Sequence, residues 1–180
     1  MVIIGGSLPQ QVASRSVAQL IRSLKKKNVI CLVDVPGKVL AEVISSRPYF
    51  IKPNLTEFQQ LIGKKVRTIN SILPIVRQLN EKVPLICVSS VEGGAILVNK
   101  SDAWFGKIPK VKIRSTVGAG DSMVGAIAHE LSKNPFTTLD KLLREGLAAS
   151  CATLSEEGMV LGSRKSIQHL RKHIHIRQLK

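Results

Sequence analysis

An α/β domain built on a largely parallel sheet is the fold class this chain predicts, and three observations carry that expectation. Val29-Ile30-Cys31-Leu32-Val33 and Pro84-Leu85-Ile86-Cys87-Val88 are short unbroken apolar runs, as expected of strands covered on both faces. Amphipathic stretches lie between the runs, the alternation of helices packed on a parallel sheet. Connections are short, with no linker, low-complexity segment or internal repeat, so the 180 residues are expected to form one domain, 1–180.

In chain order, Val2-Ile3-Ile4 is an apolar strand running into a Gly5-Gly6-Ser7 turn. Pro9 to Lys26 reads as a helix whose end carries Lys25-Lys26-Lys27, cations that complement the negative end of the helix dipole. Leu55 to Ile62, Thr68 to Leu79, Ser122 to Leu131, Leu139 to Leu154 and Ser166 to His173 read as further helices. Ala95 to Val98 and Ala103 to Ile108 read as a strand pair, Lys110 to Arg114 alternates like a strand edge, and His169 to Lys180 reads as a basic tail.

Composition narrows the function classes. An apolar content of 44% suits a sizeable core. No apolar run approaches the roughly 20 residues that cross a bilayer, and no signal-peptide pattern opens the chain, so a soluble cytoplasmic protein with no membrane partner is expected. Cys31, Cys87 and Cys151 are far apart in apolar or Ala-rich surroundings, which points to buried thiols rather than a metal site or disulfide framework. The formal charge of +15 could serve phosphorylated substrates or nucleic acid, but aromatics make up only 3%, leaving little to stack on bases. Surface charge and phosphate steering are therefore expected ahead of nucleic-acid binding.

The most informative stretch is Thr116-Val117-Gly118-Ala119-Gly120-Asp121-Ser122. Gly118, Ala119 and Gly120 let the backbone approach a ligand closely, and the apolar spacing that follows places them at a helix start. Open amides and the positive end of the dipole suit a phosphoryl group there. Asp121 then has two readings, a helix N-cap worth about 1 kcal/mol or a general base. Asn54 and Glu57, three apart at another helix start, form either a capping box or a pair that orients metal-bound water. Ser7 is either an N-cap or a ligand contact. His129, His169, His173 and His175 form no cluster and read as surface histidines.

Thr116 to Ser122 resembles the C-terminal signature of the ribokinase-like, PfkB-type carbohydrate kinases. Gly6-Ser7-Leu8-Pro9 resembles the turn of its phosphosugar branch, Asp34-Val35-Pro36-Gly37 its D-x-S-G turn, Lys52-Pro53-Asn54-Leu55-Thr56-Glu57 its K-P-N-x-x-E block, and Ser89 through Ala95 its nucleotide loop. The resemblance implies a ribokinase-like fold whose N-terminal strands, small lid sheet and most sugar-contacting residues lie outside this chain. It also implies a phosphosugar kinase that moves the ATP γ-phosphate to a hydroxyl of fructose 6-phosphate or a similar ketose phosphate. The expected partners are a nucleotide, a phosphorylated sugar and a missing N-terminal half or second subunit. The alternatives are a catalytically silent nucleotide-binding or assembly module and, less favoured, a basic nucleic-acid-binding domain.

By the same resemblance Asp121 is the base, and the amides of Gly118, Ala119 and Gly120 meet the transferred group. Lys52, Asn54, Glu57, Ser89, Glu92, Gly94 and Thr116 attend the nucleotide, Asn54 and Glu57 through Mg²⁺-bound water. Gly94 would let the chain pass close to the base or ribose, while Lys52 is equally readable as a surface cation. Ser7 touches the sugar phosphate, and Ser115, Val117, Ala152, Ser155 and Gly158 match a potassium site. Val91 stands where the family usually has glycine, and a β-branched residue resists positive φ, which points to a differently shaped loop.

Overall fold

The apolar runs form parallel strands, and their helices follow in the expected alternation. The computed structural model describes residues 1–180, with seven strands and seven helices. The chain divides into two compact units, Met1–Glu92 with Leu97–Ser101, and Gly93–Ile96 with Asp102–Lys180.

The first unit contains β1 (Val2–Gly5), α1 (Ser14–Lys26), β2 (Cys31–Asp34), α2 (Gly37–Ser45), β3 (Phe50–Ile51), α3 (Leu55–Ile62), α4 (Ile69–Leu79) and β4 (Leu85–Val91). β1 pairs with β2, β2 with β3 and β3 with β4, all parallel, in registers that set Gly5 beside Asp34, Val33 beside Ile51 and Ile51 beside Ile86. Leu32, Val33, Phe50, Ile51, Ile86, Cys87 and Val88 are fully buried, which explains why these strands are continuously apolar rather than alternating. Each such side chain contributes on the order of 1.5–3 kcal/mol through burial. Asn54 caps α3 and Thr68 caps α4, each in a reciprocal capping box, and Gly63 ends α3 at φ 65°.

β5 (Gly94–Val98) has residues in both units. The second unit continues with β6 (Ala103–Lys107), α5 (Ala119–Lys133), α6 (Leu139–Leu154), α7 (Arg164–Arg171) and β7 (His175–Gln178). Small residues set its packing distances. A Cβ on Gly146 of α6 would lie 3.1 Å from both Ile127 and Met123 of α5, and one on Gly106 of β6 would lie 2.3 Å from Leu147 of α6. Glu130 of α5 is largely buried and bridges to Lys141 of α6 at 2.8 Å and Lys133 at 3.4 Å.

Several sequence expectations need correction. The first helix starts at Ser14, not Pro9, because Pro9 to Val12 closes a turn in which Val12 N–H donates to Pro9 O and the buried stripe begins only at Val17. No strand forms over Lys110 to Arg114; Arg114 N–H is spent on Leu154 O at 2.8 Å, at the end of α6, instead of on a ladder. The last helix is Arg164–Arg171, begun by Ser163, whose side chain accepts from Ser166 N–H. The basic tail is ordered: His175–Gln178 pairs antiparallel with β6, Ile174 and Leu179 bury, and Arg177 sits 5.1 Å over the Phe105 ring. α2, β3 and β7 were not anticipated. The three cysteines are free and buried as expected, and burial pushes the Cys87 thiol up to about 12.

The Glu130 bridge makes a pH prediction. The hydrogen bond from Lys141 holds this carboxyl below its ordinary value of 4.5, against the opposing effect of partial burial. A carboxylate depressed in the folded state stabilises it fully above the unfolded value and loses that contribution as pH falls through the folded value. Glu130→Gln should therefore cost about 1 kcal/mol at neutral pH, and the gap in thermal midpoint between variant and parent should close on acidification below 4.5. Differential scanning calorimetry across that range checks it; a gap that persists in acid would contradict the assignment.

Candidate active site

Parallel pairing brings the carboxyl ends of β1 to β4 to one edge of the first unit, and the sequence motifs fall there. Gly6 at φ 90° turns the chain after β1, its N–H donating to Asp34 O at 3.0 Å, and leaves Ser7 exposed beyond it. Ser7 caps no helix, since α1 begins seven residues later with Ala13 in the cap position. At the ends of β2 and β3, Lys52 Nζ meets Asp34 Oδ2 at 3.1 Å, with 7% and 17% of their side chains exposed. This overturns the surface reading of Lys52: a cation this enclosed needs its partner. Cys87 on β4 feels both charges, Lys52 lowering and Asp34 raising its pKa, with desolvation dominant.

Two residues on, Asn54 Oδ1 accepts from Glu57 N–H and Glu57 Oε2 accepts from Asn54 N–H, both at 2.9 Å. The capping reading of this pair is thus realised, and the second oxygen of Glu57 is left over for another donor. Asn54 also bridges in parallel to Ser89, whose N–H donates to Pro53 O at 3.0 Å, so the K-P-N block and the start of the Ser89 loop are adjacent. Gly37, opening α2, lies so near α3 that a Cβ would approach Gln60 Oε1 to 2.9 Å and Glu57 O to 3.1 Å.

The Ser89 loop accommodates Val91 without strain. Ser90, Glu92 and Gly93 take the left-handed conformations, at φ 61°, 48° and 77°, while Val91 is fully buried. Glu92 Oε1 accepts from Ile69 N–H at 2.9 Å, adding a tertiary cap to α4. Gly94 has a packing reason to lack a side chain, since a Cβ there would come within 1.8 Å of the Gly106 carbonyl oxygen.

In the second unit, Gly118 is the N-cap of α5 at φ 76°, and a Cβ on it would lie 2.9 Å from Leu161. Both the backbone angle and the space select glycine. No side chain caps this end, and the first close backbone bond into the helix is Ser122 N–H to Gly118 O at 2.8 Å. Of the amides ahead of it, Ala119 N–H is only loosely held, 3.5 Å from Thr116 O, so this helix end is still able to meet an anion. Asp121 is not the N-cap; it is the third helical residue, exposed in the first turn, where the dipole favours its charge. It lines a cleft of about 1010 Å³ along α5, α6 and α7.

The turn is held by a network that sequence reasoning missed. Ser122 Oγ and Thr153 Oγ1 are 2.7 Å apart, and Gly162 N–H donates to the same Thr153 oxygen at 3.0 Å. Thr153 is buried on α6 as its next-to-last residue, a position that carries no signal in the sequence. Among the potassium candidates, Ser115 Oγ donates to Gly158 O at 2.6 Å and accepts from Val117 N–H at 3.2 Å. Ala152 and Ser155 meet at the end of α6, where Ser155 N–H donates to Ala152 O at 3.3 Å. Arg114 ties the same loops together through Glu157 at 2.6 Å. Thr116 is exposed, with its carbonyl facing Ala119 N–H at 3.5 Å.

An open, glycine-capped helix end with an aspartate in its first turn is suited to an anion such as a phosphate, and comparison with known proteins supplies a family. The model of the pfkB family carbohydrate kinases matches residues 1–165, and the chain belongs to that family. It is similar to the ATP-dependent 6-phosphofructokinase isozyme 2 of Escherichia coli, 31% identical over 94% of this chain and 55% of the relative. It is also similar to the 1-phosphofructokinase of Bacillus subtilis, 27% identical over 99% of this chain and 58% of the relative. Phosphofructokinase-2 from Escherichia coli, solved in complex with potassium, superposes with a TM-score of 0.88 at 30% identity, over 95% of this chain and 56% of that one. The fold is thus ribokinase-like as expected, and the chain spans little more than half the length of these relatives. No helix is long and apolar enough to cross a membrane.

The buried ion pair gives a stability prediction. Lys52→Met strands Asp34 without its cation and should cost about 3 kcal/mol in urea unfolding. Lys52→Met with Asp34→Asn should recover part of that loss. Equal destabilisation in the single and double variants would show that the pair is not coupled.

Proposed function

We propose that this chain is the nucleotide-binding part of a phosphosugar kinase, transferring the ATP γ-phosphate to a hydroxyl of a ketose phosphate such as fructose 6-phosphate, in the cytoplasm. The observation that carries this is the α5 turn, with Gly118 left-handed, the amides after it uncapped and Asp121 in the first helical turn. The similarity to relatives named as 6-phosphofructokinase and 1-phosphofructokinase supports the substrate class.

Asp121 would accept the proton of the attacking hydroxyl, which requires only a carboxylate within hydrogen-bond reach. The amides of Gly118, Ala119 and Gly120 would meet charge growing on the transferred group, and fixed dipoles need no reorganisation to do so. The chain has no cluster of three or more acidic, histidine or cysteine side chains able to hold a metal. Mg²⁺ keeps several waters and is bound largely through substrate phosphates. The free oxygen of Glu57 would orient such a water, with Asn54 fixing the carboxylate through the capping box. Magnesium supplies charge neutralisation on the phosphates when bound. Lys52, Ser89, Glu92, Gly94 and Thr116 would shape or border the nucleotide's surroundings, Glu92 and Gly94 through the packing they hold. Ser7 would contact the sugar phosphate. The carbonyls around Ser115, Val117, Ala152, Ser155 and Gly158 would suit potassium, since Gly158 O keeps a lone pair beyond the one Ser115 uses.

A second reading, a catalytically silent nucleotide-binding or assembly module, is favoured by one observation. The relatives are nearly twice as long as this chain, and β1, paired with β2, carries Ile3 at 48% exposure. An open strand edge with apolar side chains is a template for another segment, so a complementing half or second subunit is part of this proposal. Nucleic-acid binding has less support, because much of the basic C-terminal segment forms part of α7 and the paired β7.

Two measurements separate these readings. Calorimetric titration of Mg·ATP, repeated with fructose 6-phosphate while ADP release is followed, should show saturable nucleotide binding; turnover supports the kinase, binding alone the silent module, and no binding contradicts both. Asp121→Asn, in any assembly that turns over, should slow ADP release by about 10²- to 10⁴-fold with Mg·ATP affinity retained. Unchanged turnover with a lowered melting temperature would make Asp121 a structural residue.

A further inference from the structure

The amino ends of β2, β3 and β4 form a second cleft, at the opposite end of the strands from Asp34, Lys52 and Ser89. Its volume is about 410 Å³, and its walls come from the segments that lead into each strand, with the end of α1 and the end of α4. That size lies within the range of small-molecule sites.

The chemistry of the lining points to an anionic ligand with an apolar part. Lys25, Arg47 and Lys82 line the cleft against a single acid, Glu81, around an apolar floor that includes Ile30, Pro48, Tyr49 and Pro84. Asn28 and Arg47, both lining residues, take left-handed angles of φ 57° and 55° as the residues that follow the C-caps of α1 and α2, so both helices end beside the cleft. Asn80 lines the same cleft and is nine-tenths buried; its Nδ2 donates to Val83 O at 3.0 Å and Val98 O at 3.3 Å, while its Oδ1 has no partner. That oxygen is sealed from solvent, so Asn80 braces the wall of the cleft through its Nδ2 bonds. Asn80 also borders an adjoining cleft of about 510 Å³ that carries Arg77 and Lys100, so the cationic surface is continuous across it.

We propose that this cleft binds a small organic phosphate, its phosphate against Lys25, Arg47 and Lys82 and its apolar body on Tyr49 and Pro84. The site does not depend on the phosphoryl-transfer reading, because none of its residues lies at the carboxyl ends of the strands. Occupied, it would be a place where ligand binding stabilises the packing of α1 and α4 on the sheet, remote from the transferred group.

The test is a titration of the isotopically labelled full chain with AMP, followed by amide chemical shifts, with inorganic phosphate in parallel. AMP should shift Asn28, Arg47, Tyr49 and Lys82 saturably, and inorganic phosphate should do so more weakly. Lys25→Gln, Arg47→Asn and Lys82→Gln together should weaken AMP at these amides about tenfold or more, with asparagine chosen because it tolerates the left-handed angle at 47. An otherwise unchanged spectrum reports an intact fold, and Lys82→Gln alone, at an exposed position, serves if the triple variant unfolds. Three results would overturn the proposal: no shifts at millimolar AMP, shifts confined to Ser89–Gly94 and Gly118–Asp121 and indifferent to the substitutions, or an equal response to inorganic phosphate.

Discussion

Parallel pairing is the constraint from which the first unit's chemistry follows, because strands that run the same way must end at the same edge. The β1 to β4 registers therefore deliver Ser7, Asp34, Lys52, Asn54 and Ser89 to that edge, although they are spread over more than eighty positions of sequence. The buried lengths of β2 to β4 are apolar, and their polar side chains, Asp34 in β2 and Ser89 and Ser90 in β4, come only toward the carboxyl ends. The opposite edge gathers the residues that precede each strand by the same logic, which is why Lys25, Arg47 and Lys82 share a cleft.

Electrostatics then differ between the two chemical features. Asp34 and Lys52 are enclosed and neutralise one another, so their pairing fixes where β2 and β3 end more than it supplies free charge. The α5 turn is the reverse case: its aspartate is exposed in the first turn, where the dipole favours the charge, and no side chain caps the end. Its rigidity comes from Thr153, which joins Ser122 and the Gly162 backbone, and from Ser115 against Gly158. A phosphate-binding turn needs that support, because its value lies in dipoles that do not have to reorient.

Much of this was legible in the sequence where the signal was local. The apolar runs gave β2 and β4, the Asn54–Glu57 pair marked the start of α3, and the boundaries of α3 and α6 agree residue for residue with their apolar spacing. The glycine-rich turn before α5 was recognisable because small residues beside one acid have few other uses. The misses share a cause. β3 is two residues long, β7 is mostly polar, and α2 begins at a glycine that α3 demands, so none has a pattern of its own. Lys110 to Arg114 had the pattern of a strand and no partner to pair with.

What the sequence determined by itself is the order of elements, the burial of the central strands and the identity of the residues at each turn, because those follow from local spacing and side-chain chemistry. Tertiary structure alone decided which of those residues are spent. It committed Asn54, Glu57 and Glu92 to helix caps, enclosed Lys52 with Asp34, and gave Gly94 to a close backbone approach while leaving Asp121 open. A side chain's type sets what it is able to bind; only its neighbours in space, often distant in sequence, decide whether that capacity is already used.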